Sequence, residues 1–103
     1  MGTLDGRLAL VTGASRGIGE HCARSLAAQG ARVAVAARSE SDLARVAGDL
    51  PNDPVVLTSD LAEPGAGAEL AAAAVEALGG VDILVNNAGV SEIKGQDEMV
   101  MRL

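Results

Sequence analysis

Apolar and polar positions along the chain alternate between two kinds of segment. Short runs of continuous apolarity predict strands at Arg7 to Val11, Val33 to Ala37, Val55 to Thr58 and Val81 to Val85. Such runs suit a parallel sheet, because helices cover both of its faces and leave no position for alternating polar residues. Between them lie segments of helical period. From Gly17 to Gln29, Ile18, Cys22 and Leu26, with Ala23 and Ala27, recur at spacings of four and predict one apolar helix face, with Gly30 as the stop. Ser39 and Asp42 form a capping pair ahead of a second helix whose apolar face is Leu43, Val46, Ala47 and Leu50, and Pro51 and Pro54 bracket its exit. A third helix runs from Pro64 to Leu78 with Leu70, Ala74, Ala77 and Leu78 inward, stopped by Gly79 and Gly80.

This βαβ alternation predicts an α/β fold. Right-handed crossovers place the strands in the order 3-2-1-4, with the switch point between strands 1 and 4. The cleft at that point is lined by the turn from Gly13 to Gly19 and by Asn86 to Gly89. Strand 81–85 is left with a bare apolar edge, which predicts self-association or pairing with another chain through it. The last residues, 91–103, read as a polar loop and, from Asp97, the start of a helix with Met99, Val100 and Leu103 on its apolar face. The division is therefore an α/β half-domain with its cleft at the switch point over 1–90, followed by a loop and the start of a truncated helix over 91–103.

At 103 residues the chain holds one small core. Its apolar share of 49% contains no Phe, Tyr or Trp, so that core is built from Ala, Val, Leu and Ile. Fourteen acidic against eight basic residues give a net charge of −6, which disfavours nucleic acid as a partner. No run approaches the ~18 apolar residues of a membrane span, and the start Met1 to Arg7 lacks the pattern of a signal peptide. One cysteine, Cys22, can form no internal disulfide and belongs to no zinc-binding cluster. The expected location is the cytoplasm.

Most of the chemistry sits in Thr12-Gly13-Ala14-Ser15-Arg16-Gly17-Ile18-Gly19, directly after the first strand and opening the first helix. Gly13 permits the tight turn, Gly17 lets main-chain amides approach a pyrophosphate, and Gly19 lets the helix pack closely. The helix N-terminus then faces negative charge.

Thr12-Gly-x-x-x-Gly17-x-Gly19, Asp60 after the third strand and Asn86-Asn87-Ala88-Gly89 after the fourth occur in an order and at distances that resemble the short-chain dehydrogenase/reductase family, from about Asp5 to Val90. The resemblance implies a Rossmann-type three-layer sandwich with a truncated parallel sheet. It also implies that Gly13, Ser15, Arg16 and Ile18 line the adenosine and phosphate part of a nicotinamide dinucleotide. Asp60 and Leu61 then contact the adenine, Asn87, Ala88 and Gly89 lie beside the ribose, and Asn86 steadies the sheet.

At the end of strand 2 an acidic residue binds a ribose 2′-hydroxyl and repels a 2′-phosphate. Here Ala37 is followed by Arg38 and Ser39. The Arg38 guanidinium can pair bidentately with a phosphate, and Arg16 can approach the same group, which favours NADP(H) over NAD(H). The alternative is that both are solvated charges.

By the resemblance, the reaction is hydride transfer between nicotinamide and a carbonyl or alcohol, carried by a serine, a tyrosine and a lysine beyond the Asn-Asn-Ala-Gly motif. This sequence has no tyrosine, and Lys94 and Ser91 come too early for those roles. No catalytic residue is assigned. His21 reads as a surface residue of the first helix, Cys22 as a small core residue, and Glu20, Asp42, Asp49, Glu69 and Glu76 as solvated positions. The leading reading is the NADP(H)-binding part of such an oxidoreductase, catalytically incomplete. The alternatives are a non-catalytic nucleotide-binding or interaction module that pairs through its open sheet edge, and a chain that scarcely folds alone.

Overall fold

The computed structural model describes residues 2–87 and 99–102. Its elements are β1 (Leu8–Thr12), α1 (Gly17–Ala28), β2 (Arg32–Ala37), α2 (Glu40–Ala47), β3 (Val55–Thr58), α3 (Ala66–Leu78), β4 (Ile83–Asn86) and β5 (Met99–Arg102). They build one sheet in the order β3-β2-β1-β4-β5. The first four strands are mutually parallel, with Leu10 opposite both Ala34 of β2 and Leu84 of β4, and take the expected order 3-2-1-4.

Each strand sends alternate residues to opposite faces, and here both faces are apolar. Ala9 and Val11 of β1, Val33 and Val35 of β2 and Val85 of β4 join Ala23 and Ala27 of α1 and Leu43 and Val46 of α2 in one cluster. Leu10, Ala34 and Ala36 point the other way and meet Leu70, Ala74 and Leu78 of α3. The result is a three-layer sandwich. Leu43, Val11, Val33, Val35 and Val46 are its largest fully buried side chains, each contributing about 1.5–3 kcal/mol through burial.

Short polar devices fix the strand ends. Asp82 Oδ2 accepts from the Leu8 amide at 2.9 Å while the Asp82 amide donates to the Leu8 carbonyl at 2.7 Å, so the entry to β4 is locked to the start of β1. Between Pro51 and Pro54, Asn52 and Asp53 adopt left-handed backbone with φ of 68° and 57°, a region that Asn and Asp tolerate. This turns the Asn52 amide onto the carbonyls of Ala27 and Ala31 at 3.1 and 3.2 Å, closing the C-terminal end of α1. Ser39 Oγ accepts from the Asp42 amide at 3.3 Å and caps α2.

Three expectations are corrected. Ile18, assigned to the inward face of α1, is 60% exposed. The buried positions of that helix are Gly19, Ala23 and Ala27, because small residues let α1 lie close to the sheet and rotate Ile18 outward. In α3 the inward set is Ala66, Leu70, Ala74 and Leu78, a strict period of four that leaves Ala77 exposed. Finally, residues 99–102 are strand, where the start of a helix was expected. β5 pairs antiparallel with β4, from Ile83 opposite Arg102 to Asn86 opposite Met99. The edge of strand 81–85 is therefore not bare, since the unpaired backbone groups that made it a pairing site are taken by the chain itself. The expected loop over 91–98 lies outside the described residues. Among the described residues no helix is long and apolar enough to cross a membrane.

Candidate functional site

The C-terminal ends of β1, β2 and β3 open onto one cleft of about 1400 Å³, lined by Gly13, Ser15, Arg16, Gly17 and Ile18 from the glycine turn, Ala37, Arg38 and Ser39 after β2, Ser59, Asp60 and Leu61 after β3, and Asn87 after β4. Ten of the thirteen residues singled out from the sequence thus share one surface. Gly19 does not face it, and Ala88 and Gly89 lie outside the described residues.

Gly17 and Gly19 do different work. Gly17 sits at φ +61°, where an L side chain is strained, and beyond its chain neighbours and the backbone of its own helix no described atom lies within 4 Å of the point where a β-carbon would be. A side chain there would stand in open space at the start of α1, so its lack leaves the main chain exposed to a ligand. Gly19 is buried, and a β-carbon on it would overlap the Gly13 carbonyl oxygen and come within 2.8 Å of Asn87 Nδ2. It holds α1 against the turn and against the segment following β4.

The N-terminus of α1 has no side-chain cap. Its first residues, Gly17 and Ile18, line the cleft, and uncapped amides at the positive end of a helix dipole favour an anion where the backbone can be approached closely. Two cations stand on the walls, Arg16 on the turn and Arg38 beyond β2, both exposed. At the end of β2, where a carboxylate would repel a further phosphate, the residue is Ala37. Sequence reasoning missed Asp42, which also faces the cleft from the first turn of α2. Its signal was its place three residues after Ser39, on a helix that starts at the cleft rim.

Thr12 ties the two sides of the switch point together. Its hydroxyl accepts from the Asn87 amide at 2.9 Å and faces Asn86 Oδ1 at 3.0 Å and the Val85 carbonyl at 3.4 Å as acceptors for its own proton. Nearby, Ser59 and Ala14 donate their amides to the Ala37 and Ala36 carbonyls at 2.9 and 3.1 Å, fixing the rim. Asp60 Oδ1 accepts from the Ala62 amide at 3.0 Å, which aims the loop after β3. His21 is exposed on α1 and does not line the cleft.

The sequence model of the short chain dehydrogenase family matches residues 7–102. The chain belongs to that family. This short-chain dehydrogenase segment is 40% identical over 100 residues to a 3-oxoacyl-(acyl-carrier-protein) reductase of Vibrio cholerae, covering 97% of this chain and 39% of the relative. Among solved structures it resembles a 3-ketoacyl-(acyl-carrier-protein) reductase from Brucella melitensis complexed with NADH, with a TM-score of 0.78 and 33% identity over 92% of this chain and 42% of that one. It also resembles an actinorhodin polyketide ketoreductase with NADPH, with a TM-score of 0.76 and 43% identity over 87% of this chain and 36% of the other. The short-chain dehydrogenase segment spans 28% to 39% of the length of the curated relatives it matches. The strand-turn-helix unit, the rim after β3 and the end of β4 make it the nucleotide-binding region of an oxidoreductase fold.

Proposed function

We propose that the cleft binds NADP(H) in preference to NAD(H), and that the chain is the cofactor-binding part of an oxidoreductase that moves a hydride between nicotinamide and a carbonyl or alcohol. The observation that carries this reading is the lining of the cleft, with Arg16 on the glycine turn, Arg38 after β2, and Ala37 where a carboxylate would exclude a 2′-phosphate. Relatives with NADH and with NADPH both occur, so the preference rests on these side chains.

In this reading Gly13 and Gly17 admit the pyrophosphate to the uncapped amides of α1, which neutralise it without a side chain. Arg38 grips the 2′-phosphate through its planar fork, with Arg16 and Ser39 beside it. Asp60 and Leu61 hold the adenine, Ile18 covers the adenosine side from its exposed position, and Asn87, with Ala88 and Gly89 after it, lies along the ribose. When bound, the dinucleotide supplies the hydride donor or acceptor. These 103 residues contain no tyrosine, which supports the view that they bind and orient the cofactor without completing turnover.

Titration calorimetry of the purified chain with NADPH and NADH tests the proposal, with Arg38→Asp as the deciding variant. Loss of charge-assisted hydrogen bonds is worth about 1.5–3 kcal/mol, so NADPH should weaken by about 10- to 150-fold while NADH changes by no more than about threefold. Equal losses for the two cofactors would sink the assignment of Arg38 and with it the preference.

A further inference from the structure

Arg45 lies behind the cleft wall and does not line the cleft. It reaches from α2 to the glycine turn. Its Nη2 donates to the Ser15 carbonyl at 2.9 Å, and its Nη1 stands 3.6 Å from Glu20 Oε2 on α1. The same Glu20 oxygen accepts from Nε and Nη2 of Arg24 at 2.9 and 2.8 Å. Arg24 Nη2 in turn lies 3.2 Å from Asp49 Oδ2, just past α2. Two cations and two anions therefore stitch α1 to α2 and, through Arg45 alone, to the backbone of the turn.

This arrangement acts on the site in two ways. A peptide unit is planar and trans, so holding the Ser15 carbonyl also fixes the direction of the Arg16 amide, which points the opposite way. Ser15 and Arg16 line the cleft on the turn, whereas Ser39, the cap of the helix that carries Arg45, and Asp42 in its first turn line it on the other side. Arg45 follows Asp42 by three residues, one turn along α2, so its bond to Ser15 sets the separation of the two sides. It also helps to balance Glu20, a carboxylate in the first turn of the helix whose N-terminus faces the cleft. A guanidinium fork can address a carbonyl and a carboxylate at once, which an ammonium cannot do in the same geometry.

We propose that Arg45 is a positioning residue for dinucleotide binding, which holds the glycine turn against α2 through the Ser15 carbonyl. The inference rests on the reading of the cleft as a dinucleotide site, and it differs from the role of Arg38 in a measurable way. Arg45 supports the part of the site that NADH and NADPH share, so its loss weakens both by the same factor.

The experiment is calorimetric titration of wild type, Arg45→Met and Arg45→Lys with NADH and NADPH, well below the melting temperature, with circular dichroism verifying that each is folded. Arg45→Met is expected to weaken both cofactors by about tenfold, the order set by one hydrogen bond to a charged group. Arg45→Lys should recover part of that loss. In the ligand-free variants the amide resonances of Arg16 and Gly17 should move while those of α3 stay, which a general loss of stability would not produce. Unchanged affinities in folded Arg45→Met overturn the proposal, and so does a loss confined to NADPH, which would make Arg45 a direct phosphate ligand. If Arg45→Met does not fold, Arg45→Lys decides by the same criteria, equal partial losses supporting the proposal and unchanged affinities overturning it. A folded wild type that binds neither cofactor instead refutes the dinucleotide reading itself, and the role of Arg45 falls with it.

Discussion

Replacing Gly19 and Gly17 by alanine separates packing from ligand access at two positions two residues apart. At Gly19 the new methyl would overlap the Gly13 carbonyl oxygen, lie 2.7 Å from the Gly13 carbonyl carbon and 2.8 Å from Asn87 Nδ2. Carbon atoms pack at about 3.5–4.0 Å, so α1 must retreat by about 1 Å, and two of the three obstacles are backbone that cannot swing aside. Overpacking of this kind costs about 1–3 kcal/mol. At about 4–8 °C per kcal/mol for a domain near this size, a cost of about 2 kcal/mol lowers the melting temperature by about 8–16 °C. At Gly17 no described atom is near, and the cost is the left-handed backbone alone, about 1–2 kcal/mol. Gly17→Ala should therefore melt closer to wild type but lose cofactor affinity more severely per degree of destabilisation, because its methyl stands where a ligand meets the backbone. Thermal melts by circular dichroism, paired with titration by NADPH and NADH, test both halves. A Gly19→Ala protein that melts within about 2 °C of wild type would refute the packing argument. A Gly17→Ala protein that binds both dinucleotides as wild type does would refute the access argument.

Two further outcomes concern the supports of the site. Thr12→Val keeps the side-chain shape but removes the hydroxyl that accepts from Asn87 and faces Asn86 Oδ1, so it should cost about 1–3 kcal/mol in a denaturant melt. Thr12→Ser should cost less, and equal melts for wild type and Thr12→Val would remove the hydroxyl from the account. The Glu20 carboxyl is held below its ordinary value of 4.5, chiefly by the hydrogen bond from Arg24 and then by Arg45. A lowered folded-state pKa gives stability that is fully present above the unfolded value and lost as the pH falls through the folded one. The difference in melting temperature between wild type and Glu20→Gln should thus be constant from neutral pH down to about 5 and shrink below about 4.5. A difference that grows toward acid would contradict the ion-pair geometry.

The strands were legible because a parallel sheet covered on both faces admits no polar alternation, and Val33 to Ala37 shows that plainly. The glycine turn was legible because strand, turn and helix follow one another without a gap. Helix faces were less so, since period alone does not say which of two adjacent stripes packs. Gly19, Ala23 and Ala27 win over Ile18 because close approach of backbones outweighs the burial of one larger side chain, and that is a property of the sheet they meet. Met99, Val100 and Leu103 carry a helical spacing, yet residues 99–102 are strand because β4 offers them backbone partners, a long-range effect that no local window contains. Arg45 was invisible for a similar reason. Its partner is a carbonyl thirty residues away, and only the i, i+4 pairing of Glu20 with Arg24 hinted at the network.

The antiparallel strand on β4 has a kinetic consequence for assembly. β5 belongs to the same chain as the strand it covers, so its pairing is intramolecular, and such pairing carries an effective concentration on the order of millimolar. A strand from any other molecule reaches β4 only by exchange, displacing the four residue pairs from Ile83 and Arg102 to Asn86 and Met99. At micromolar protein the internal strand outcompetes an equally well paired intruder by roughly a thousandfold, and β5 acts as the gatekeeper of this edge of β4.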